Sequence, residues 1–86
     1  MTIPEARKKY NAYIKKYALP RMPDRGYGIT GFPQSLRGSY TAFFKSKTLA
    51  ITAGQLLANH TRMTVELGQI LDHGNNRFTI GEITPD

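Results

Sequence analysis

Leu49, Ala53, Leu56, His60, Met63, Leu67 and Ile70 follow one another in alternating steps of four and three residues, and six of the seven are apolar. Steps of that kind bring side chains onto one side of an α-helix and make a seam that must be buried. Leu57 and Leu71 widen the seam, while Gln55, Asn59, Arg62, Glu66 and Gln69 fall on the far side. Gly74 stands where helices commonly turn left-handed, with Asn75 and Asn76 continuing the turn. The spacing therefore predicts a helix over 48–73. Gly54, Gly68, Thr61, Thr64 and Val65 are weak helix formers, so a break near His60 to Arg62 is the alternative. An unbroken seam on a small chain favours self-association through Leu49, Leu56, Met63, Leu67 and Ile70.

Two further helices are expected. Thr2 and Glu5 have the spacing of a capping box, Pro4 suits a first turn, and Leu19-Pro20 stops the helix, which gives a span of 3–18. Ile3, Ala6, Tyr10, Tyr13, Ile14 and Tyr17 make its buried stripe, and Arg7, Lys8, Lys9, Lys15 and Lys16 occupy the remainder. Pro33 can open a helix over 33–46 with Leu36, Tyr40, Phe43 and Phe44 on one side, although Tyr40 to Phe44 is also compatible with a strand. Arg77 to Ile83 reads as a short strand or extended tail. The expected fold is mainly α: about three helices, a long Pro/Gly loop and a short C-terminal extended segment in one domain spanning 1–86.

Charge is unevenly placed. The chain carries a net charge of +6, yet residues 1–47 hold ten cations against Glu5 and Asp24, and the remainder is mildly acidic. Mutual repulsion in the first half opposes compaction and is relieved by an anionic partner. Within 20–32, read as a functional or flexible loop, Arg21, Arg25, Tyr27 and Phe32 intersperse guanidinium groups with rings, and Arg37 follows. That mixture suits phosphates and unstacked bases. It also suits an acidic protein surface, because Arg and Tyr are enriched at protein hot spots.

Several sharper motifs are set aside. Gly26 to Gly31 spells G-x-G-x-x-G, but it lacks the preceding strand, following helix and downstream acid of a dinucleotide site. A helix-turn-helix with a wing, broken at Asn59 to Arg62, would present Glu66 and Asp72 to DNA. His60 and His73 have no second metal ligand at helical spacing, and Ser35, Ser39 and Ser46 have no histidine close in sequence. The chain has no cysteine, no apolar run long enough for a membrane span and no signal-peptide pattern, and is read as soluble and cytoplasmic.

The expectation is a small, nonenzymatic nucleic-acid-binding protein with no cofactor or metal. Lys8, Lys9, Lys15, Lys16, Arg21, Arg25 and Arg37 contact phosphates, and Tyr27 or Phe32 stacks on bases. The alternative is a protein-binding or assembly module, and a homodimer or higher oligomer is compatible with either.

Overall fold

The computed structural model describes residues 2–31 and 40–86. In order, the elements are α1 (Ile3–Tyr17), β1 (Gly26–Gly31), β2 (Ala42–Phe44), α2 (Lys47–Thr61), β3 (Val65–Leu71), a short 3-10 turn (Asp72–Gly74) and β4 (Asn76–Ile83). The strands form one antiparallel sheet in the order β2-β1-β3-β4. Among the described residues the fold is therefore α/β with two helices, and the expectation of a mainly α, three-helix chain is overturned.

Helix α1 forms where the capping chemistry places it. Thr2 Oγ1 accepts from the Glu5 amide at 3.2 Å, while the Thr2 amide donates to Glu5 Oε1 at 3.3 Å. Ala18 leaves the helix with extended backbone just ahead of Leu19-Pro20. The Leu19 amide then donates to the Phe43 carbonyl at 2.8 Å, which ties the helix exit to β2.

The predicted 48–73 helix ends halfway. Arg62 takes a left-handed backbone conformation at φ 60°, and its amide closes the last turn on the Ala58 carbonyl. Thr61 contributes to the stop: its hydroxyl donates to the Leu57 carbonyl and accepts from the Met63 amide. Beyond it, Val65 to Leu71 is a strand. The seam misleads because a three-residue step keeps Leu67 and Ile70 on one side of a helix but sends them to opposite faces of a strand. Leu67 joins the core beneath α2, whereas Ile70 is fully buried outside that cluster.

Two more expectations are corrected. Residues 42–44 are a strand rather than the end of a 33–46 helix, whose proposed start at Pro33 lies outside the described residues. The Pro/Gly segment read as a loop contains β1, a central strand despite three glycines. Flanking strands on both sides override its poor intrinsic propensity.

Register assigns the two sheet faces. Ile29 lies opposite Leu67 and Gly31 opposite Val65 on the helix side; Gly28 lies opposite Gly68 and Thr30 opposite Glu66 on the other. Helix α2 covers the first face, packing Ala50, Ala53, Leu57 and Ala58 against Ile29, Phe44, Val65 and Leu67. Gly54 lets α2 approach β4 closely, since a Cβ there would stand 2.5 Å from Ile83 Cδ1. Helix α1 packs on α2, with Tyr10 buried, its ring 5.5 Å from that of His60. Tyr13 reaches Phe44 with a ring separation of 6.3 Å. The tyrosine stripe is thus largely a packing surface. Among the described residues, no helix is long and apolar enough to cross a membrane.

Candidate functional site

The cations of α1 are all on the surface. At about 100° per residue, Lys8, Lys9, Lys15 and Lys16 occupy an arc of about 120° opposite the buried Ala6 and Tyr10. Arg7 lies toward the other border of the helix, lining a hollow with Ile3, Asn11 and Lys8 at the edge of the arc. Burying Tyr10 and Ala6 against α2 leaves the lysines no orientation but outward. Among the described residues, none of the four is in an ion pair, although Lys16 Nζ lies 5.2 Å from the centroid of the Tyr17 ring. Lys9 and Lys16 border a shallow hollow of about 420 Å³ with Ala12, Tyr13, Tyr17 and Leu56. The surface thus sets two amines beside exposed aromatic carbon.

A second basic group forms at one end of the sheet. Arg25 and Lys45 line a depression with Tyr27, Gln69 and Leu71. Tyr27 is opposite Phe44 in the β1–β2 ladder, so the residue just after β2 arrives beside the start of β1. Lys45 carries no local motif, and only this pairing brings it to Arg25. Tyr27 itself is half-buried against the core, with part of its ring surface available at the depression. Arg21 is exposed on the loop between α1 and β1. Phe32 and Arg37 lie outside the described residues.

That loop is anchored through Asp24. The His73 amide donates to the Asp24 carbonyl at 3.0 Å, and His73 Nδ1 lies 2.7 Å from Asp24 Oδ1. Asp72, His73 and Gly74 all have positive φ, at 52°, 54° and 91°. For the two non-glycine residues this costs about 1–2 kcal/mol each, which the double link to Asp24 helps to hold. The same turn puts Asp24 and Asp72 near Arg25, so the basic character of this end is locally offset.

The sheet face away from the helices carries a third group that sequence reasoning missed. Thr30, Tyr40, Glu66, Gly68, Arg77 and Thr79 line a hollow of about 250 Å³. Arg77 Cζ stands 5.9 Å from the Tyr40 ring centroid, and Phe43 packs against the same ring at 5.5 Å. Burial pushes the Tyr40 phenol above its ordinary value; Arg77 opposes the rise and Glu66 adds to it. The alternation of Gly26, Gly28 and Gly68 on that face was the available signal, because bare backbone on two adjoining strands makes room for a ring.

The residues assigned to one self-association seam do not make a continuous surface. Leu49 and Leu56 are half-buried against the core, Leu67 and Ile70 are buried on opposite sheet faces, and Met63 is exposed beyond the end of α2. Among the described residues, no group of three or more His, Asp or Glu side chains is arranged to hold a metal ion. Comparison with protein-family models, with curated proteins and with solved structures finds no match to this chain.

Proposed function

We propose that the protein is a small nonenzymatic nucleic-acid-binding module that lays the lysine arc of α1 along a phosphate backbone. The observation that supports this reading is the clustering of Lys8, Lys9, Lys15 and Lys16 on one exposed helical arc, none of them in an ion pair among the described residues. Lysines that meet phosphates displace condensed counterions, and the gain disappears as salt rises. Arg21 on the adjoining loop extends the surface, and Arg25 with Lys45 and Tyr27 supplies a further contact at the sheet end. Tyr17, 37% exposed beside Lys16, is the ring best placed to meet an unstacked base.

The test is affinity for mixed-sequence DNA and RNA, single- and double-stranded, as a function of salt. Binding should weaken with a log–log slope of about −0.7 to −0.9 per phosphate contact. Replacing Lys8, Lys9, Lys15 and Lys16 together with Gln should flatten the slope by about 3 if all four touch phosphates. Absence of binding to every probe at about 50 mM salt would refute the reading, since electrostatic attachment is strongest there. The apolar carbon of Tyr17 and Leu56 in the hollow on α1 supports a second reading, a module that docks on an acidic protein surface. Such docking would persist at salt concentrations that abolish phosphate contacts, because apolar anchors are not screened.

A further inference from the structure

Strand β4 is the last in the sheet order and runs for eight residues, paired only with β3 among the described residues. Among the described residues its outer backbone groups have no strand partner, and such a row is one that natural proteins usually protect. Here the strand exposes Phe78 at 52% and Ile80 at 39% and contains no lysine. We propose that β4 is a self-association edge. Two copies pair antiparallel through it about a twofold axis passing between Thr79 and Ile80, joining their sheets into one of eight strands.

The β-bulge in β4 is what makes this pairing self-complementary. Leu67 lies opposite Gly81 while Gly68 lies opposite Thr79, so Ile80 is an extra residue. Arg77, Thr79 and Glu82 face Ile70, Gly68 and Glu66, which share one sheet face; Phe78, Gly81 and Ile83 face Gln69, Leu67 and Val65, which share the other. In an uninterrupted strand, residues five apart point to opposite faces. The inserted Ile80 brings Arg77 and Glu82 to the same one.

Antiparallel pairing about that axis matches residues whose numbers sum to 159. Arg77 then meets Glu82 of the second copy, and the symmetry repeats the contact. Phe78 meets Gly81 in the same way, and Asn76 meets Ile83. Every opposed pair flanking the bulge shares a face, as cross-strand partners must. Because both strands carry the same extra residue, neither outruns the other. Among the described residues, Gly81 has no atom within 4 Å of where a Cβ would stand, which leaves open space for the Phe78 ring of the second copy. Arg77 already has partners within the chain, the Tyr40 ring among them, and its five N–H donors are divided between these and Glu82 of the second copy. An extended segment of another protein could add to the same edge, but opposite charges matched to each other by the twofold favour a second copy. The inference is independent of the lysine arc and of what that arc binds.

Size-exclusion chromatography with light scattering, from low micromolar to about 0.5 mM protein, should show a monomer–dimer equilibrium. Arg77→Glu and Glu82→Arg each place like charges in contact twice and should weaken association by at least about tenfold. Mixed at equal concentration, the two variants regain opposite charges at both contacts and should form a heterodimer, which a variant that had merely misfolded would not do. The register has its own check, because the chain contains no natural cysteine. Thr79→Cys should give an oxidised dimer, whereas Asn76→Cys, about 23 Å from its counterpart in this register, should not. Wild type that remains monomeric to about 0.5 mM would overturn the proposal. So would single variants that associate as wild type does, or a folded variant pair that stays monomeric when mixed.

Discussion

The Tyr40 ring rests on bare backbone: its hydroxyl oxygen lies 2.6 Å from the point where a Cβ would stand on Gly68. The neighbouring Gly28 is covered by the same ring, and a Cβ there would collide with its carbon atoms. A ring on two adjoining strands is thus possible only because both residues lack side chains. Gly28→Ala should destabilise the fold by about 1–3 kcal/mol, the range for overpacking. The check is a denaturant-unfolding cycle with Tyr40→Ala. Removing the ring should relieve most of the penalty, giving strong non-additivity.

The two phenols that burial raises, Tyr10 and Tyr40, make the fold sensitive to alkali. Each keeps its proton in the folded chain at a pH where the unfolded chain has begun to lose it. The unfolded state then binds fewer protons, so stability falls as pH rises. The contribution should be intact below pH 10.0, the ordinary tyrosine value, and decline above it. Ultraviolet titration of phenolate should show two late-ionising tyrosines, one lost in Tyr10→Phe and one in Tyr40→Phe.

Glu5 has the opposite sign. Hydrogen bonds from Thr2 favour its ionised form and hold its carboxyl below the usual value of 4.5. The unfolded chain takes up that proton first, so the capping contribution is present above 4.5 and is lost as pH falls through the lower folded value. Amide exchange in the first turn of α1 should accelerate on acidification over that range. Glu5→Gln should remove most of the dependence.

Asn59 holds the tail after β4. Its side-chain oxygen accepts from the Asp86 amide at 2.9 Å and from Gln55 Nε2 at 3.0 Å, and its nitrogen donates to Asp86 Oδ2 at 3.3 Å. The residue is only 8% exposed, so truncation strips partners inside the protein. Asn59→Ala should cost about 1–3 kcal/mol and release the Asp86 amide to exchange. Chemical unfolding with residue-resolved exchange measures both.

Helix α1 and its outward lysines were legible because their causes are local. A cap, a stripe at helical period and Leu19-Pro20 act within a turn or two of the residues they govern. The same holds for the extended character of Arg77 to Ile83. By contrast, Val65 to Ile70 carried two readings at once. Met63, Leu67 and Ile70 fit a helical seam, and Val65 and Leu67 alternate with Glu66 as a half-buried strand does. Spacing on the chain could not choose between them, because the deciding partners, β1 and β4, are elsewhere in the sequence.

The candidate surfaces divide along the same line. By itself, the sequence determined α1, its cap and the outward lysine arc, because a helix generates its own periodicity and shows its polar side wherever its apolar side is buried. Tertiary structure alone decided that 26–31 is a central strand, that Lys45 joins Arg25, that Tyr40 covers two glycines, and that a bulge at Ile80 aligns Arg77 with Glu82. Those outcomes depend on strand register, and backbone hydrogen bonds between distant segments set register with little trace in the neighbouring residues.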